Sequence, residues 1–236
     1  TANQVTQCWK DLEEVGVADK TIPVTYMNSS AAIKSFTGEH GGTICTSSNA
    51  KKSMEWALSK GEKILFLPDQ HLGRNTAVLS LGLTLEDCVL WNPWKPMGGL
   101  TPEEIRASKI ILWRGHCSVH GRFTLESVNE VRKQLPEVKV LVHPECQHDV
   151  VAAADVVGST EMIIKTVEQS PAGSTWAIGT ELNLVSRLAK AHPDKKIVFL
   201  DKTVCYCSTM NRIDLPHLVW AMESLVDGHL VNQISV

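Results

Sequence analysis

Residues 63–74 read Lys-Ile-Leu-Phe-Leu-Pro-Asp-Gln-His-Leu-Gly-Arg, and this stretch decides the fold class. The run Lys63–Leu67 is apolar nearly throughout, which is typical of a parallel strand that is covered on both faces. Polar residues follow it directly, from Asp69 to His71. Further strands are predicted from similar runs at Ile22–Met27, Thr43–Cys45, Ile110–Trp113, Val138–Val142, Asp155–Val157, Thr175–Ile178 and Ile197–Leu200.

Helix-like segments lie between these runs, among them Ala50–Lys60, Leu125–Gln134, Glu161–Glu168 and Glu181–Ala191. Strands that alternate with helices of this length indicate βαβ units and a parallel sheet. The predicted fold class is therefore α/β.

The chain also repeats one order of elements. Both Ile22–Ala77 and Val138–Ala189 read as strand, polar turn, helix, short strand, Ser or Thr, helix, strand, polar turn and helix. The repeat predicts two copies of a three-layer α/β/α domain, joined near Trp91–Ile110. The predicted divisions are a helix in 1–20, a domain in 21–108, a domain in 109–204, and a cysteine segment with a helix in 205–236.

Composition excludes several classes of protein. The chain has 236 residues, of which 43% are hydrophobic and 21% charged, as in ordinary globular proteins. A net charge of −3 without a Lys/Arg-rich run argues against nucleic acid or a membrane surface as a partner. No apolar run is long enough to span a bilayer, and nothing resembles a signal peptide. Seven cysteines without framework spacing favour a reducing, cytoplasmic setting.

Polar residues cluster directly after the predicted strands. Ligands of open parallel sheets bind outside the carboxyl ends of the strands, so we expect these side chains to form a binding site. A structural alternative is that each Ser or Thr caps the following helix. Because helix N-termini bind carboxylates and phosphates, two copies of Ser/Thr at a helix start suggest an anionic ligand with more than one carboxylate. The clustered residues are Tyr26, Asn28, Thr46, Ser47, Asp69, Gln70, His71, Cys117, His120, His143, Glu145, Ser159, Thr160, Glu181 and Cys207.

Two segments, Arg114–His120 and Lys202–Cys207, combine cysteine with other chemically active residues. Cys205 and Cys207 are one residue apart, so in an extended chain their side chains point to opposite sides. Three thiolates would suit an iron–sulfur cluster, and a mixture of cysteine and histidine would suit zinc. Spacing alone does not choose between these metals.

Together these segments resemble the quinolinate synthase family, nearest to its actinobacterial members. The resemblance covers essentially the whole chain, in order. The stretches that carry it are Tyr26–Ala31, Cys45–Ala50, Pro68–Arg74, Gly115–His120, His143–Glu145, Gly158–Thr160 and Cys205–Met210.

The resemblance implies an enzyme of NAD biosynthesis, in the transferase class, that condenses iminoaspartate with dihydroxyacetone phosphate to quinolinate. It implies three similar α/β/α domains around a pseudo-threefold axis. It also implies a [4Fe–4S] cluster held by one cysteine from each domain, with one iron left open as a Lewis acid. A functional link to L-aspartate oxidase or aspartate dehydrogenase follows from the same resemblance.

Matched position by position, the resemblance assigns roles to individual residues. The cluster ligands would be Cys117 and Cys207, and Cys207 is preferred to Cys205 because it stands three residues before Met210. The residues near the open iron, with catalytic roles, would be Glu145, His143 and His120. The residues that hold substrate would be Tyr26, Asn28, Ser47, Ser159 and Thr160.

The chain departs from the family pattern in one respect. The family's first cysteine motif is not found, and Cys8 lies in a predicted helix, where it is a poor substitute. We therefore expect 21–108 and 109–204 to be the second and third family repeats, with 1–20 left from the first domain or a linker. The third cysteine ligand and the N-terminal domain would then be missing, and the chain by itself would be inactive.

Three other interpretations remain open at the level of sequence. The first is a zinc-dependent hydrolase with His120, His143 and Cys117 as ligands. The second is a non-catalytic module that binds a small anion, in which Ser47 and Ser159 cap helices around a carboxylate. The third is a cysteine nucleophile at Cys117 with His120 as its base.

Overall fold

The computed structural model describes residues 1–201, 207, 209–231 and 233, which form two parallel sheets. The first sheet has five strands in the order β2-β1-β3-β5-β4. Its strands are β1 Thr21–Tyr26, β2 Thr43–Cys45, β3 Lys63–Leu67, β4 Cys88–Trp91 and β5 Ile110–Trp113.

The second sheet has four strands in the order β7-β6-β8-β9. Its strands are β6 Lys139–Val142, β7 Val156–Val157, β8 Thr175–Gly179 and β9 Lys196–Phe199. All pairings in both sheets are parallel, so the carboxyl ends of the strands in each sheet lie at one edge.

Several of the helices that connect the strands begin at a residue whose side chain accepts a hydrogen bond from a free backbone N–H group. Thr101 and Glu104 form a capping box, in which the Thr101 hydroxyl accepts from the Glu104 N–H at 3.2 Å and Glu104 Oε2 accepts from the Thr101 N–H at 2.7 Å. The helices are α1 Ala2–Val15, α2 Ala31–Glu39, α3 Ala50–Lys60, α4 Gln70–Asn75, α5 Pro102–Ala107, α6 Leu125–Gln134, α7 His148–Ala153, α8 Thr160–Gln169, α9 Leu182–Ala191 and α10 Leu215–Val226.

Each sheet is buried on both faces, which explains why its strands read as continuous apolar runs. In β3, Leu65 packs with α1 and α2 on one face, while Phe66 packs with α3 on the other. In β6, Val140 packs with α6 and α7, while Leu141 packs with α8 and α9. Burying a Leu or Phe side chain of this kind stabilises the fold by about 2 kcal/mol. The α/β class and the α/β/α layering predicted from the sequence are confirmed.

Two strands differ from the sequence prediction. Strand β4 (Cys88–Trp91) was not predicted, because a four-residue run beside Asn92-Pro93 carries little local signal. Strand β5 (Ile110–Trp113) pairs with β3 and β4 in the first sheet, whereas the predicted boundary at residue 109 would place it in the second unit. The assignment of the units to family repeats stays a prediction.

A buried amide joins the two units. Asn75, at the end of α4, donates from Nδ2 to the carbonyl oxygens of Pro144 at 2.8 Å and Cys146 at 2.9 Å. Its Oδ1 lies 2.8 Å from Nδ1 of His148 in α7. These contacts connect α4, which follows β3, to the loop that follows β6. They therefore hold the strand ends of the first sheet close to the strand ends of the second sheet. Within the residues described, no helix has both the length and the apolar character needed to cross a membrane.

Candidate active site

A cavity of about 720 Å³ lies where strand ends of both sheets meet. Residues that follow β1, β3 and β5 of the first sheet and β6 and β8 of the second all reach it. Its lining includes Tyr26, Asn28, Ser29, Pro68, Asp69, Gly115, His116, Cys117, Ser118, Val119, His120, Glu145, Glu181, Cys207, Thr209 and Met210.

Asp69 ties the loop after β5 to the end of β3. Its Oδ1 accepts from the N–H groups of His71 at 2.9 Å and Leu72 at 2.8 Å at the start of α4, and its Oδ2 accepts from the Cys117 N–H at 3.0 Å. Burial, together with the charge of Glu145, raises the pKa of Asp69 to about 7 against the opposing effect of these three hydrogen bonds. Asp69 therefore fixes the position of the Cys117 backbone.

The cavity wall contains a carboxylate between two imidazoles. Oε2 of Glu145 lies 3.2 Å from Nδ1 of His120 and 3.2 Å from Nδ1 of His143. The two imidazole rings stack at a centroid distance of 4.5 Å with an interplanar angle of 15°. All three residues are buried. The sequence placed these residues after two strands of the single predicted unit 109–204. In the structure the two strands belong to different sheets, and the three side chains are in direct contact.

Burial and charge act in opposite directions on this group. Burial raises the pKa of Glu145, but its close contacts with the imidazoles of His120 and His143 outweigh burial and hold the pKa at about 2. Burial lowers the pKa of His120, but interactions with Cys117 and Glu145 outweigh it and raise the pKa to about 9. Burial and then the charge of His120 lower the pKa of His143, partly opposed by Glu145. Without a metal ion, Glu145 and His120 therefore form a buried ion pair at neutral pH.

The orientation of His120 is set from the second sheet. Its Nε2 lies 3.2 Å from the hydroxyl of Thr180, the residue that follows β8. Its Nδ1 is buried and has no hydrogen-bond partner among the described residues, although Oε2 of Glu145 lies 3.2 Å away. Thr180 was missed in the sequence analysis, although its place directly after a buried strand is the signal that identified the other residues.

The two predicted cluster ligands reach the same cavity. Cys117 is half-buried in the loop after β5, and Cys207 is half-buried with Sγ 3.1 Å from the hydroxyl of Thr209. That hydrogen bond and backbone N–H groups lower the pKa of the Cys207 thiol, against a smaller opposing effect of burial. Cys205 lies outside the described residues. Cys8 lies in α1, where it is buried in the core of the first unit, and it does not line this cavity.

Three donor atoms in this wall could hold a metal ion. The ligand atoms of Cys117, His120 and Glu145 all lie within 4.8 Å of one another. The zinc interpretation from the sequence proposed Cys117, His120 and His143 as ligands, whereas this set has Glu145 in place of His143. His143 instead contacts Glu145 and is positioned to orient the carboxylate.

Tyr26 and Asn28 line the cavity from the end of β1. Burial, followed by the charge of Glu145, raises the pKa of the Tyr26 phenol, and a hydrogen bond with the Ser47 side chain opposes that rise. Tyr26 therefore stays a neutral hydrogen-bonding group at neutral pH. Its contact with Ser47 connects this cavity to a second group of polar residues.

A second cavity of about 440 Å³ contains Ser47 and Ser159 together. Ser159 caps α8 by accepting from the Met162 N–H at 3.4 Å, whereas the N-cap of α3 is Asn49 and not Ser47. Thr160 is the exposed first residue of α8 and is not in the lining of this cavity. The capping alternative thus describes Ser159 but not Ser47. The remaining lining residues are Ser48, Ala50, Lys51, Asn75, Thr76, Leu79, Ser80, Pro144, Val157, Gly158, Glu161, Met162 and Lys165.

Comparison with known proteins gives a consistent result. A family model described as quinolinate synthetase A protein matches residues 1–236. A quinolinate synthase of Streptomyces coelicolor is 69% identical over 238 residues, which cover 100% of this chain and 60% of the relative. Quinolinate synthases of a Nocardioides species and Corynebacterium glutamicum are 66% and 54% identical, each over 99% of this chain and over 61% and 59% of the relative. The chain thus spans about 60% of the length of these curated relatives.

Proposed function

This chain belongs to the quinolinate synthetase A protein family, and we propose that it supplies the larger part of the active site of a quinolinate synthase. The proposed reaction condenses iminoaspartate with dihydroxyacetone phosphate to give quinolinate, phosphate and water. It is a transferase reaction of NAD biosynthesis, and its proposed location is the cytoplasm.

One observation supports this proposal most strongly. A single cavity gathers the Cys207 thiol with a second thiol, a carboxylate paired with imidazoles, a phenol and an amide from the ends of β1, β5 and β6 in two sheets. Capping of separate helices does not require such convergence, because each cap acts only on its own helix. A site that binds a polar substrate and transfers protons does require it.

The donor atoms at this cavity fit the iron–sulfur cluster implied by the family. Cys117 and Cys207 both line it, and hydrogen bonds favour the thiolate form of Cys207, which is the form that ligates iron. We propose that these two residues hold a [4Fe–4S] cluster together with a third cysteine that the described part of this chain does not place here. When bound, such a cluster supplies a Lewis-acidic iron that polarises a substrate oxygen.

Glu145 is the proposed proton-transfer group. Its carboxylate faces the cavity, and its two imidazole contacts at 3.2 Å keep it ionised and fixed in orientation. An ionised carboxylate can accept a proton from bound substrate, and the protonated His120 beside it can donate one. His143, whose pKa is lowered, contacts the same oxygen as a neutral orienting group.

Substrate carboxylates and hydroxyls would be bound by residues of both cavities. Tyr26 and Asn28 lie on the wall shared with Cys117, and Ser47 and Ser159 lie in the neighbouring cavity. Thr160, at the start of α8, would contribute its backbone N–H and hydroxyl. Iminoaspartate is an imine that water can hydrolyse, so a functional link to L-aspartate oxidase or aspartate dehydrogenase, either of which would generate it, is part of the proposal.

The test is anaerobic reconstitution with iron and sulfide, followed by an assay for quinolinate, on the complete protein. We expect the Cys117→Ser and Cys207→Ser variants to lose both the cluster absorbance and quinolinate formation. Cys88→Ser is the matched control, because Cys88 is a half-buried cysteine in β4 that does not line the cavity. Normal turnover in Cys117→Ser would refute the proposal. A wild-type protein that binds a dicarboxylate but forms no quinolinate would favour the binding-module alternative.

A further inference from the structure

We propose that Cys117, His120 and Glu145 form a site for one divalent transition-metal ion, of the zinc or ferrous type, that does not use Cys207. The site would be distinct from the iron–sulfur cluster, since it needs one thiolate where the cluster needs three. It would be formed by residues of both sheets, because Cys117 and His120 follow β5 and Glu145 follows β6.

The spacing of the donor atoms carries the proposal. Nδ1 of His120 and Oε2 of Glu145 are 3.2 Å apart. Two ligands at the usual zinc distances of about 2.0–2.1 Å in a tetrahedral site are separated by about 3.3 Å. The nitrogen and oxygen are therefore already at the spacing that an ion would impose.

The sulfur requires only a small movement. The Cys117 Sγ lies within 4.8 Å of the other two donor atoms, whereas a tetrahedral zinc site separates sulfur from nitrogen by about 3.6 Å. A change of at most about 1.2 Å closes that difference, and a rotamer change moves a side-chain atom by more than this. Cys117 is half-buried and lies in the loop after β5 rather than in a strand.

The histidine is oriented as a metal ligand would be. Thr180 lies at its Nε2 at 3.2 Å, so an Nε2–H can donate to this hydroxyl while Nδ1 offers a lone pair once the metal ion displaces its proton. Nδ1 is buried and has no hydrogen-bond partner in the part of the chain that the structure describes, and His120 as a whole is only 7% exposed. Metal-ligating histidines commonly donate from the other ring nitrogen to an oxygen in this way.

The carboxylate is supported in a similar manner. His143 contacts the same Glu145 oxygen at 3.2 Å and stacks on His120, which restricts the movement of both ligands. A set with one sulfur, one nitrogen and one oxygen donor favours zinc, cobalt or ferrous iron over magnesium and calcium, which prefer oxygen alone. Three protein ligands leave a fourth position toward the cavity, as in zinc sites that bind water or substrate.

The single ion and the cluster of the proposed function share Cys117, so one excludes the other. Only this exclusion rests on the proposed function. Binding of the ion itself can be measured without any turnover, so a failure of the metal site and a failure of the synthase proposal give different results.

The experiment is titration of the reduced, metal-free protein with Co²⁺, which reports a thiolate ligand by a charge-transfer band and a tetrahedral site by strong visible bands. We expect saturation at one Co²⁺ per chain and displacement by Zn²⁺. Cys117→Ser should lose the charge-transfer band, and Glu145→Gln should weaken binding at least about 10-fold. Cys207→Ser and Cys88→Ser, as matched cysteine controls, should leave the spectrum and the affinity unchanged.

Folding is checked for every variant by circular dichroism and tryptophan fluorescence. Cys117→Ser is the decisive variant, because it changes one atom in a half-buried loop residue and should not disturb the sheets. Absence of saturable binding by the wild-type protein would overturn the proposal. So would a Co²⁺ spectrum that survives Cys117→Ser, or one that is lost in Cys207→Ser, which would assign the ion to the cluster cysteines.

Discussion

We expect the hydrogen bonds of Asn75 to contribute much of the free energy that holds the two units together. Its side chain is 2% exposed and makes two hydrogen bonds to the carbonyl oxygens of Pro144 and Cys146 and one with His148. Replacement by Ala removes all three interactions and leaves two carbonyl oxygens and one ring nitrogen without this partner. Asn75→Ala is therefore the sharpest available perturbation of the interface.

The magnitude can be worked from these contacts. A neutral hydrogen bond contributes a net of about 1 kcal/mol, so three of them correspond to about 3 kcal/mol. Ala forms helix more readily than Asn, which returns about 0.5 kcal/mol at the end of α4. We expect the free energy of unfolding to fall by about 2–3 kcal/mol, a substantial share of the 5–15 kcal/mol typical of a folded domain.

The assay is urea denaturation followed by circular dichroism and by tryptophan fluorescence. Trp91 and Trp113 report on the first sheet and Trp176 on the second, so weaker coupling should also separate the transitions. Asn183→Ala is the matched control, because Asn183 is exposed on α9 and its loss should change stability by less than about 0.5 kcal/mol. A fall for Asn75→Ala no larger than that of the control would refute the role assigned to this residue.

Other predictions concern the candidate site. In the complete protein, Glu145→Gln should lower quinolinate formation roughly 100-fold, because it removes proton transfer. Cluster absorbance and affinity for a dicarboxylate analogue should stay nearly unchanged. Near-normal turnover would show that Glu145 has no catalytic role. Cys207→Ser should abolish cluster absorbance and Cys205→Ser should largely spare it, and the reverse pattern would reassign the ligand. In the metal-free protein the pKa of His120 is about 9, above its ordinary value of 6.5, because contacts with Cys117 and Glu145 outweigh the opposing effect of burial. Its contribution to stability should therefore be complete below pH 6.5 and lost as the pH rises through 9, as measured by urea denaturation. The His120→Gln variant should not lose this stability as the pH rises through 9. An equal pH dependence in the variant and the wild-type protein would contradict the raised pKa of His120.

Local sequence determined most of the secondary structure. The predicted strand Lys63–Leu67 and the predicted helices Ala50–Lys60 and Leu125–Gln134 match the structure at both ends. Each is defined by neighbours in the chain, namely an apolar run that ends at polar residues or a helical pattern that begins at a capping residue. The α/β class followed from the alternation of these elements.

Local sequence did not determine which strands share a sheet. Strand β4 and the place of β5 beside β3 depend on hydrogen bonds between residues that are far apart in the chain. A short run carries the same local signal whichever sheet it joins, so the boundary predicted at residue 109 could not be corrected from the sequence.

The candidate site also depends partly on local sequence and partly on the tertiary structure. The sequence by itself marked Cys117, His120 and Glu145, since polar residues that follow buried strands gather at one edge of a parallel sheet. Only the tertiary structure brought Oε2 of Glu145 to 3.2 Å from His120, the hydroxyl of Thr180 to Nε2 of His120, and the carboxylate of Asp69 to the Cys117 backbone. Residue type and strand position are local properties. Distance and orientation depend on how two separately buried sheets pack against each other, and that packing is decided by contacts such as those of Asn75, which no local pattern reveals.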